Sequence, residues 1–308
     1  MKAIAIDRYG PADLLALREL PDPPVGPDTV LVSVRAAGVN PVDWKVREGQ
    51  LAGALPTHFP LVPGWDASGV VAAVGPAVTG FAVGDEIVGY VRRDHVQHGT
   101  YAELVPAPER TLADKPVRAS WAEAAGLPLA GLTAYQALRL ARTGAGDTVL
   151  VHGAAGGVGH LAVQIARALG ADRVIGTASA AHHDFVRSLG AEPVSYEAGL
   201  LDGIREVAPD GVDVALDLFG GLALEVSARL LVRPARLVSV ADPEHVTRLG
   251  GSYVFVKPST ADLTVLAGLV DAGRLRVHVD RVFPLEQAAD AHRMVETGHV
   301  RGKVVLEV

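Results

Sequence analysis

Apolar and polar positions follow two different rhythms along the chain. From Met1 to about Gly126, short β-type segments such as Thr29 to Arg35, Ser68 to Val74 and Asp85 to Tyr90 are broken by Gly and Pro, which predicts a barrel-like set of strands. Between about Ala145 and Val256, compact β-branched runs alternate with helical stretches, the pattern of a parallel sheet with crossover helices. The runs are Thr148 to Val151, Arg173 to Thr177, Glu192 to Tyr196, Asp213 to Asp217, Arg236 to Val240 and Tyr253 to Val256. They suit a complete doubly wound dinucleotide fold. The tail resumes strand patterning at Leu275 to Phe283 and Gly302 to Val308 around a predicted helix, Leu285 to Glu296, and is expected to rejoin the first domain.

Composition narrows the function classes. The 308 residues suit two domains, and 49% hydrophobic with 20% charged residues is the balance of a globular chain with a large aliphatic core. A net charge of −7, with Arg92 and Arg93 as the only notable basic pair, argues against a nucleic-acid partner. The start, Met1 to Ile6 followed by Asp7 and Arg8, reads as a short strand without the apolar run of a signal peptide, and no apolar stretch is long enough to span a bilayer. A cytoplasmic protein with no membrane partner is expected. With 0 cysteines there is no disulfide, thiolate nucleophile or cysteine-ligated metal.

The strand Thr148 to Val151 runs into Gly153-Ala154-Ala155-Gly156-Gly157-Val158-Gly159. A helix follows with Val158, Leu161, Ala162, Ile165, Ala166 and Leu169 on one face, His160, Gln164 and Arg167 off it, and Gly170 as its C-terminal cap. Free amides at a helix N-terminus suit a pyrophosphate, and glycine lets the backbone approach it, so Gly156, Gly157, Val158 and Gly159 are candidate cofactor residues. Ala154 stands where the usual G-x-G-x-x-G has its first glycine. An NAD-selective fold carries an acid roughly 20 residues further on, at the end of the next strand. Here that strand ends Gly176-Thr177-Ala178-Ser179, without a carboxylate. The following His182 and His183 are either donors to a 2′-phosphate or solvated side chains opening a helix, with Asp184 nearby. NADPH is the favoured cofactor.

The segments Gly38-Val39-Asn40-Pro41-Val42-Asp43, Pro63-Gly64-Trp65-Asp66-Ala67-Ser68-Gly69-Val70, Gly84-Asp85, Gly99-Thr100-Tyr101-Ala102-Glu103, Leu127 to Ala134 and Arg301-Gly302-Lys303-Val304-Val305, together with the glycine turn, resemble the medium-chain dehydrogenase/reductase superfamily in its zinc-lacking quinone oxidoreductase branch. The resemblance covers nearly the whole chain. It implies an α/β protein with a GroES-like β-barrel catalytic domain (1–125 and 270–308), a Rossmann doubly wound parallel sheet (126–269) and an active cleft between them. In zinc-dependent relatives a cysteine occupies the position of Asn40 and a Gly-His-Glu motif that of Gly64-Trp65-Asp66, so the resemblance implies no catalytic zinc. It places Asn40 and Thr133 near the nicotinamide, and Thr177, Ser179, His182, Tyr196, Phe255, Val256 and Lys303 along the cofactor groove. The chain departs from the family at Asp217-Leu218-Phe219-Gly220-Gly221, where Phe219 either narrows the nicotinamide end or fills core. Family members commonly dimerise through sheet edges, here Tyr253 to Val256, so a homodimer is expected.

Without a Lewis acid, simple alcohols are poor substrates, whereas a quinone or α,β-unsaturated carbonyl spreads the incoming negative charge through its own conjugation. Catalysis is then mainly positioning, with Asn40 as polar candidate and Trp44, Trp65 and Tyr90 as substrate walls; for the two tryptophans core packing is the competing reading. Asp43 and Asp66 look like a carboxylate pair for acid–base chemistry, but the resemblance implies supporting roles for both; His95 and His98 are expected as solvated histidines, not metal ligands. An enoyl-thioester reductase, with Arg92 and Arg93 meeting coenzyme phosphates, and an NADPH-binding protein with incidental activity are the alternatives.

Overall fold

The computed structural model describes residues 1–196 and 199–308. The chain forms two compact units: Met1–Leu129 with Pro258–Ala272 and Val277–Val308, and Ala130–Lys257 with Gly273–Arg276. The helix Thr260–Asp271 packs on the strand Leu112–Asp114 and so counts with the first unit, in contrast to the limits expected from the sequence.

In the first unit the strands Val279–Pro284, Lys303–Glu307, Thr29–Val39, Asp66–Val74, Glu86–Tyr90 and Leu112–Asp114 lie in that order, and Leu104–Pro108 also pairs with Thr29–Val39. The long strand Thr29–Val39 is the organiser. Its first half alternates buried and less buried residues, the period of a sheet with one covered face. From Ala36 onward every residue is buried, because Ala36 packs with Ala125 and Val305 beneath Trp121, Ala122 and Val279 and both faces are covered. Gly38 makes that closeness possible: a Cβ there would lie 2.4 Å from the Ala125 carbonyl oxygen and 3.0 Å from the Asp66 Cβ. The register sets Gly38 opposite Asp66 and Val39 opposite Val304, so Asn40, Asp66 and Lys303 emerge side by side.

The second unit holds six parallel strands in the order Glu192–Ser195, Arg173–Ala178, Thr148–Val151, Val214–Asp217, Leu237–Ser239, Ser252–Tyr253. This is the doubly wound order, with its switch point between Thr148–Val151 and Val214–Asp217. Leu150, Ile175, Ile204, Ala215, Leu224 and Leu237 form part of one apolar cluster beneath it.

Two expected elements are shorter than the pattern suggested. The last parallel run ends at Tyr253, because beyond one further ladder bond from Val254 to Ser239 the chain leaves the sheet and the Gln136 amide takes both backbone groups of Lys257, at 2.9 and 3.1 Å. The tail strand starts at Val279, not Leu275, and the predicted helix opens with a 3-10 turn, Leu285–Gln287, before Ala288–Glu296. Among the described residues no helix is long and apolar enough to cross a membrane.

Candidate functional site

The glycine turn sits at the switch point of the second unit. Gly153 has φ +65°, and its amide donates to the Thr177 hydroxyl at 3.1 Å while the Ala154 amide donates to the Thr177 carbonyl at 2.9 Å, so the neighbouring strand shapes the turn. A Cβ at Gly159 would lie 2.0 Å from the Gly153 carbonyl oxygen, which leaves only glycine where the helix Gly159–Ala168 meets the turn. Gly156 is different: its nearest neighbour to an added Cβ is 3.4 Å away. That is an open cradle. The amides of Gly157 and Val158 have no acceptor among the described residues, the condition under which a helix start receives an anion. Ala154 fits in place of the usual glycine because it is buried against Gly176, whose own Cβ would come within 2.5 Å of the alanine methyl.

Several expected residues behave otherwise than the sequence indicated. Thr177 is 1% exposed, its hydroxyl engaged by Gly153 and 3.3 Å from His152 Nδ1, so its side chain supports the turn from behind. His152, which sequence reasoning missed, lies buried with Nε2 2.9 Å from Ser227, and burial lowers its pKa to about 4. Its place between a buried strand and the first glycine was the available signal. His160 is not off the buried face; it is fully buried, with Nδ1 2.9 Å from the Gly156 carbonyl, because the helix is covered on more than one side. Ser179 precedes the 3-10 turn Ala180–His182 without a side-chain capping bond, His182 is half-buried, and Asp184 is held at 2.6 Å by Arg187. Tyr196 and Phe255 are exposed, Val256 is half-buried and Thr133 is buried. Phe219 is no core filler: it is 69% exposed, with its ring edge 2.2 Å from where a Gly153 Cβ would be.

The second cluster belongs to the first unit and consists of side chains. Asn40 opens the helix Pro41–Arg47, with proline at its first position, and its amide N–H donates to Asp43 Oδ2 at 2.8 Å. The Asn40 side chain is fixed at both ends: Nδ2 donates to Asp66 Oδ2 at 2.9 Å, and Oδ1 accepts from Lys303 Nζ. Lys303 Nζ also stands 4.0 Å from Asp66 Oδ2. Asp66 Oδ1 accepts from the Leu129 amide at 2.9 Å. Asp43 Oδ2 takes a further bond from the Tyr101 hydroxyl at 3.1 Å. Gly64, at φ +92°, gives Tyr101 its room, since a Cβ there would be 2.4 Å from the tyrosine ring.

All these groups are nearly sealed, Asn40 being 2% exposed. Burial pushes Asp43 up to about 7, and pushes Asp66 up to about 6 against the opposing charge of Lys303. Burial also lowers Lys303, which the two carboxylates counteract. The chemistry available is that of an oriented amide backed by a shared charge, with carboxyls that titrate near neutrality.

Trp65 and Tyr90 are 5% and 1% exposed and pack edge to face with centroids 6.1 Å apart, while Trp44 stays half-buried with Lys45 Nζ 5.7 Å from its ring. His95 lies 5.8 Å from His58, ring to ring, and no group of metal-ligating side chains forms among the described residues. Arg93 binds the Pro106 carbonyl. Sequence reasoning missed His292, which adjoins Tyr101, and Arg47, which bonds His292 from its other side; only the Asn-Pro-x-Asp spacing at the helix start announced any bond of this network.

Comparison with known proteins matches residues 26–117 to the family described as "Alcohol dehydrogenase GroES-like domain" and residues 169–306 to "Zinc-binding dehydrogenase". The chain is 36% identical to the "NADPH-dependent alkenal/one oxidoreductase, chloroplastic" of Arabidopsis thaliana, over 99% of this chain and 79% of the relative. Its fold superposes on the quinone oxidoreductase from Coxiella burnetii with TM-score 0.89 and 37% identity, covering 100% and 99% of the two chains. A mycobacterial protein complexed with NADPH superposes with TM-score 0.86 at 29% identity, covering 100% of both. The chain therefore belongs to the medium-chain dehydrogenase/reductase superfamily, in its quinone oxidoreductase branch.

Proposed function

We propose that this chain is an NADPH-dependent reductase that delivers hydride to a quinone or an α,β-unsaturated carbonyl without zinc. The observation that carries the reading is the glycine turn at the switch point, with an open position at Gly156, amides at Gly157 and Val158 that have no acceptor among the described residues, and no carboxylate at the end of the adjacent strand, Thr177 to Ser179. The relatives' names, alkenal/one and quinone oxidoreductase, support the acceptor class.

The residues do not fit a catalytic zinc. Asn40 offers an amide already bonded at both ends, Trp65 is buried apolar surface, and the ammonium of Lys303 would stand beside any dication held by Asp66. No step runs through a metal. When bound, NADPH supplies the hydride. The chain's own contribution is to cradle the pyrophosphate and to orient Asn40, whose Nδ2 gives one hydrogen to Asp66 and has no other acceptor among the described residues, which leaves its second for the oxygen that gains charge. In this reading Ser179, His182, Tyr196, Phe255 and Val256 line the dinucleotide and Thr133 lies near the nicotinamide, as the family resemblance implies; the exposure of Tyr196 and Phe255 supports their part of it. For Trp65 and Tyr90, burial favours packing, and Trp44 is the remaining candidate wall. The enoyl-thioester alternative loses support because Arg93 is bound to a backbone carbonyl. A homodimer belongs to the same reading, supported by the edge position of Ser252–Tyr253; so does a cytoplasmic location, in keeping with 0 cysteines.

Stopped-flow oxidation of NADPH is the test, run against quinones, enones and enoyl-CoA esters with metal analysis of the same sample. Quinones or enones should accelerate oxidation in zinc-free protein. No acceleration by any acceptor, or loss of activity on removing stoichiometric zinc, would sink the proposal.

A further inference from the structure

Behind Asn40 lies a second row of buried polar groups that hydride transfer does not itself require. Arg47 is 1% exposed, unusual for arginine, and its guanidinium is engaged at short range: Nε to the Gly10 carbonyl at 2.8 Å, Nη2 to Glu48 at 2.7 Å, Nη1 to Glu296 at 2.7 Å and to His292 Nδ1 at 3.1 Å. His292 Nε2 lies 3.2 Å from the Tyr101 hydroxyl, which reaches Asp43 Oδ2 at 3.1 Å, and that oxygen also holds the Asn40 amide.

The direction of each bond follows from donor chemistry. A guanidinium can only donate, so His292 Nδ1 accepts and its ring proton sits on Nε2. Burial, and then the charge of Arg47, lower the His292 pKa to about 3, which keeps the ring neutral and the tautomer single. With Nε2 donating to its oxygen, the tyrosine must turn its own proton toward Asp43. Asp43 has no reserve: Oδ1 is buried without a partner among the described residues, so Oδ2 carries both bonds.

We propose that Arg47, His292 and Tyr101 are positioning residues that, through Asp43, hold the backbone of Asn40 in its working geometry. The inference rests on the proposed role of Asn40, and it extends that site to the carboxy-terminal helix Ala288–Glu296, which supplies both His292 and Glu296. Charged groups facing Asp43 are Asp66 and Lys303; those facing Arg47 are Glu48 and Glu296. The row is not a proton conduit, because protonating His292 Nδ1 would set it against the arginine donor that faces it at 3.1 Å.

Asn40 itself reports on the network. In the free protein, the backbone amide resonance of Asn40 should titrate with Asp43, with a midpoint near 7. Tyr101→Phe removes one of two donors to the carboxylate, so the midpoint should rise by about one pH unit. His292→Gln should stay near wild type, since the glutamine amide accepts from Arg47 and donates to Tyr101, whereas His292→Leu should mimic Tyr101→Phe. Asp43→Asn should abolish the titration. In steady-state reduction of 1,4-naphthoquinone, Tyr101→Phe should lower kcat about ten-fold, leave KM for NADPH within about two-fold, and move the acid limb upward in step with the amide. An Asn40 resonance indifferent to Tyr101→Phe or to Asp43→Asn, or a glutamine no better than leucine, overturns the proposal. An amide that responds as expected while Asn40→Ala leaves kcat unchanged overturns the catalytic reading of Asn40 instead.

Discussion

The glycine turn and the Asn40 cluster solve opposite problems with opposite materials. The turn is built from backbone, spans a few consecutive residues, and works by leaving amides unsatisfied and space unfilled. The cluster is built from side chains at positions 40, 43, 47, 66, 101, 292 and 303, and nearly every polar atom in it is committed. One site is spoiled by adding an atom and the other by removing one. The reason is solvation: an open cradle tolerates loss but not bulk, whereas a buried charge cannot lose its partner without a large desolvation cost.

That contrast is sharpest at Lys303. Lys303→Met keeps the volume but strands Asp66 and the Asn40 carbonyl, and is expected to lower stability by about 3–5 kcal/mol in chemical denaturation. A loss below about 1 kcal/mol would mean that the ammonium contributes no net stability to its cluster.

In the turn the two glycines should separate fold from binding. Gly156→Val should weaken NADPH binding about 100-fold or more by fluorescence titration while leaving Tm nearly unchanged, because its added atoms meet only the cradle. Gly159→Ala, driven against the Gly153 carbonyl, should in addition cost about 1–3 kcal/mol of stability. Equal effects from both would erase the distinction between cradle and hinge.

The pH dependence of stability tests the cluster alone. Asp43 has a raised folded pKa, about 7 against an ordinary 3.8, so its contribution is fully present below about 3.8 and is lost as pH rises through about 7. The difference in Tm between Asp43→Asn and wild type should therefore grow more positive from pH 5 to pH 8. His292, lowered to about 3, runs the other way: its contribution is present above about 6.5 and lost as pH falls through about 3. His292→Gln should flatten the acid side of the curve.

The smallest effect concerns Phe219, whose exposed ring rests on Gly153. Phe219→Val should raise the association rate of NADPH by about two- to five-fold in stopped-flow fluorescence, and a slower association would assign the ring to holding the cofactor, not covering its seat.

How much of this was readable beforehand follows the same divide. Five of the six parallel strands, the glycine turn and the helix after it were legible because their signals are local: β-branched runs, glycine spacing and a helical apolar period. The last strand failed where the Gln136 amide, distant in sequence, took over the backbone of Lys257. Asn40 and Lys303 were named through resemblance, but no local pattern could tell that Lys303 faces the Asn40 carbonyl or that Thr177 turns its hydroxyl inward.

The sequence by itself determined the two rhythms, the dinucleotide turn, the missing thiolate ligands and the acid-free strand end, since each depends on residue type and short spacing. Tertiary structure alone decided that Trp65 and Tyr90 are packed inward, that Phe219 lies in the open, and that Arg47 and His292 stand behind Asn40. Burial and hydrogen-bond direction are properties of neighbours, and the neighbours of Asn40 come from both ends of the chain.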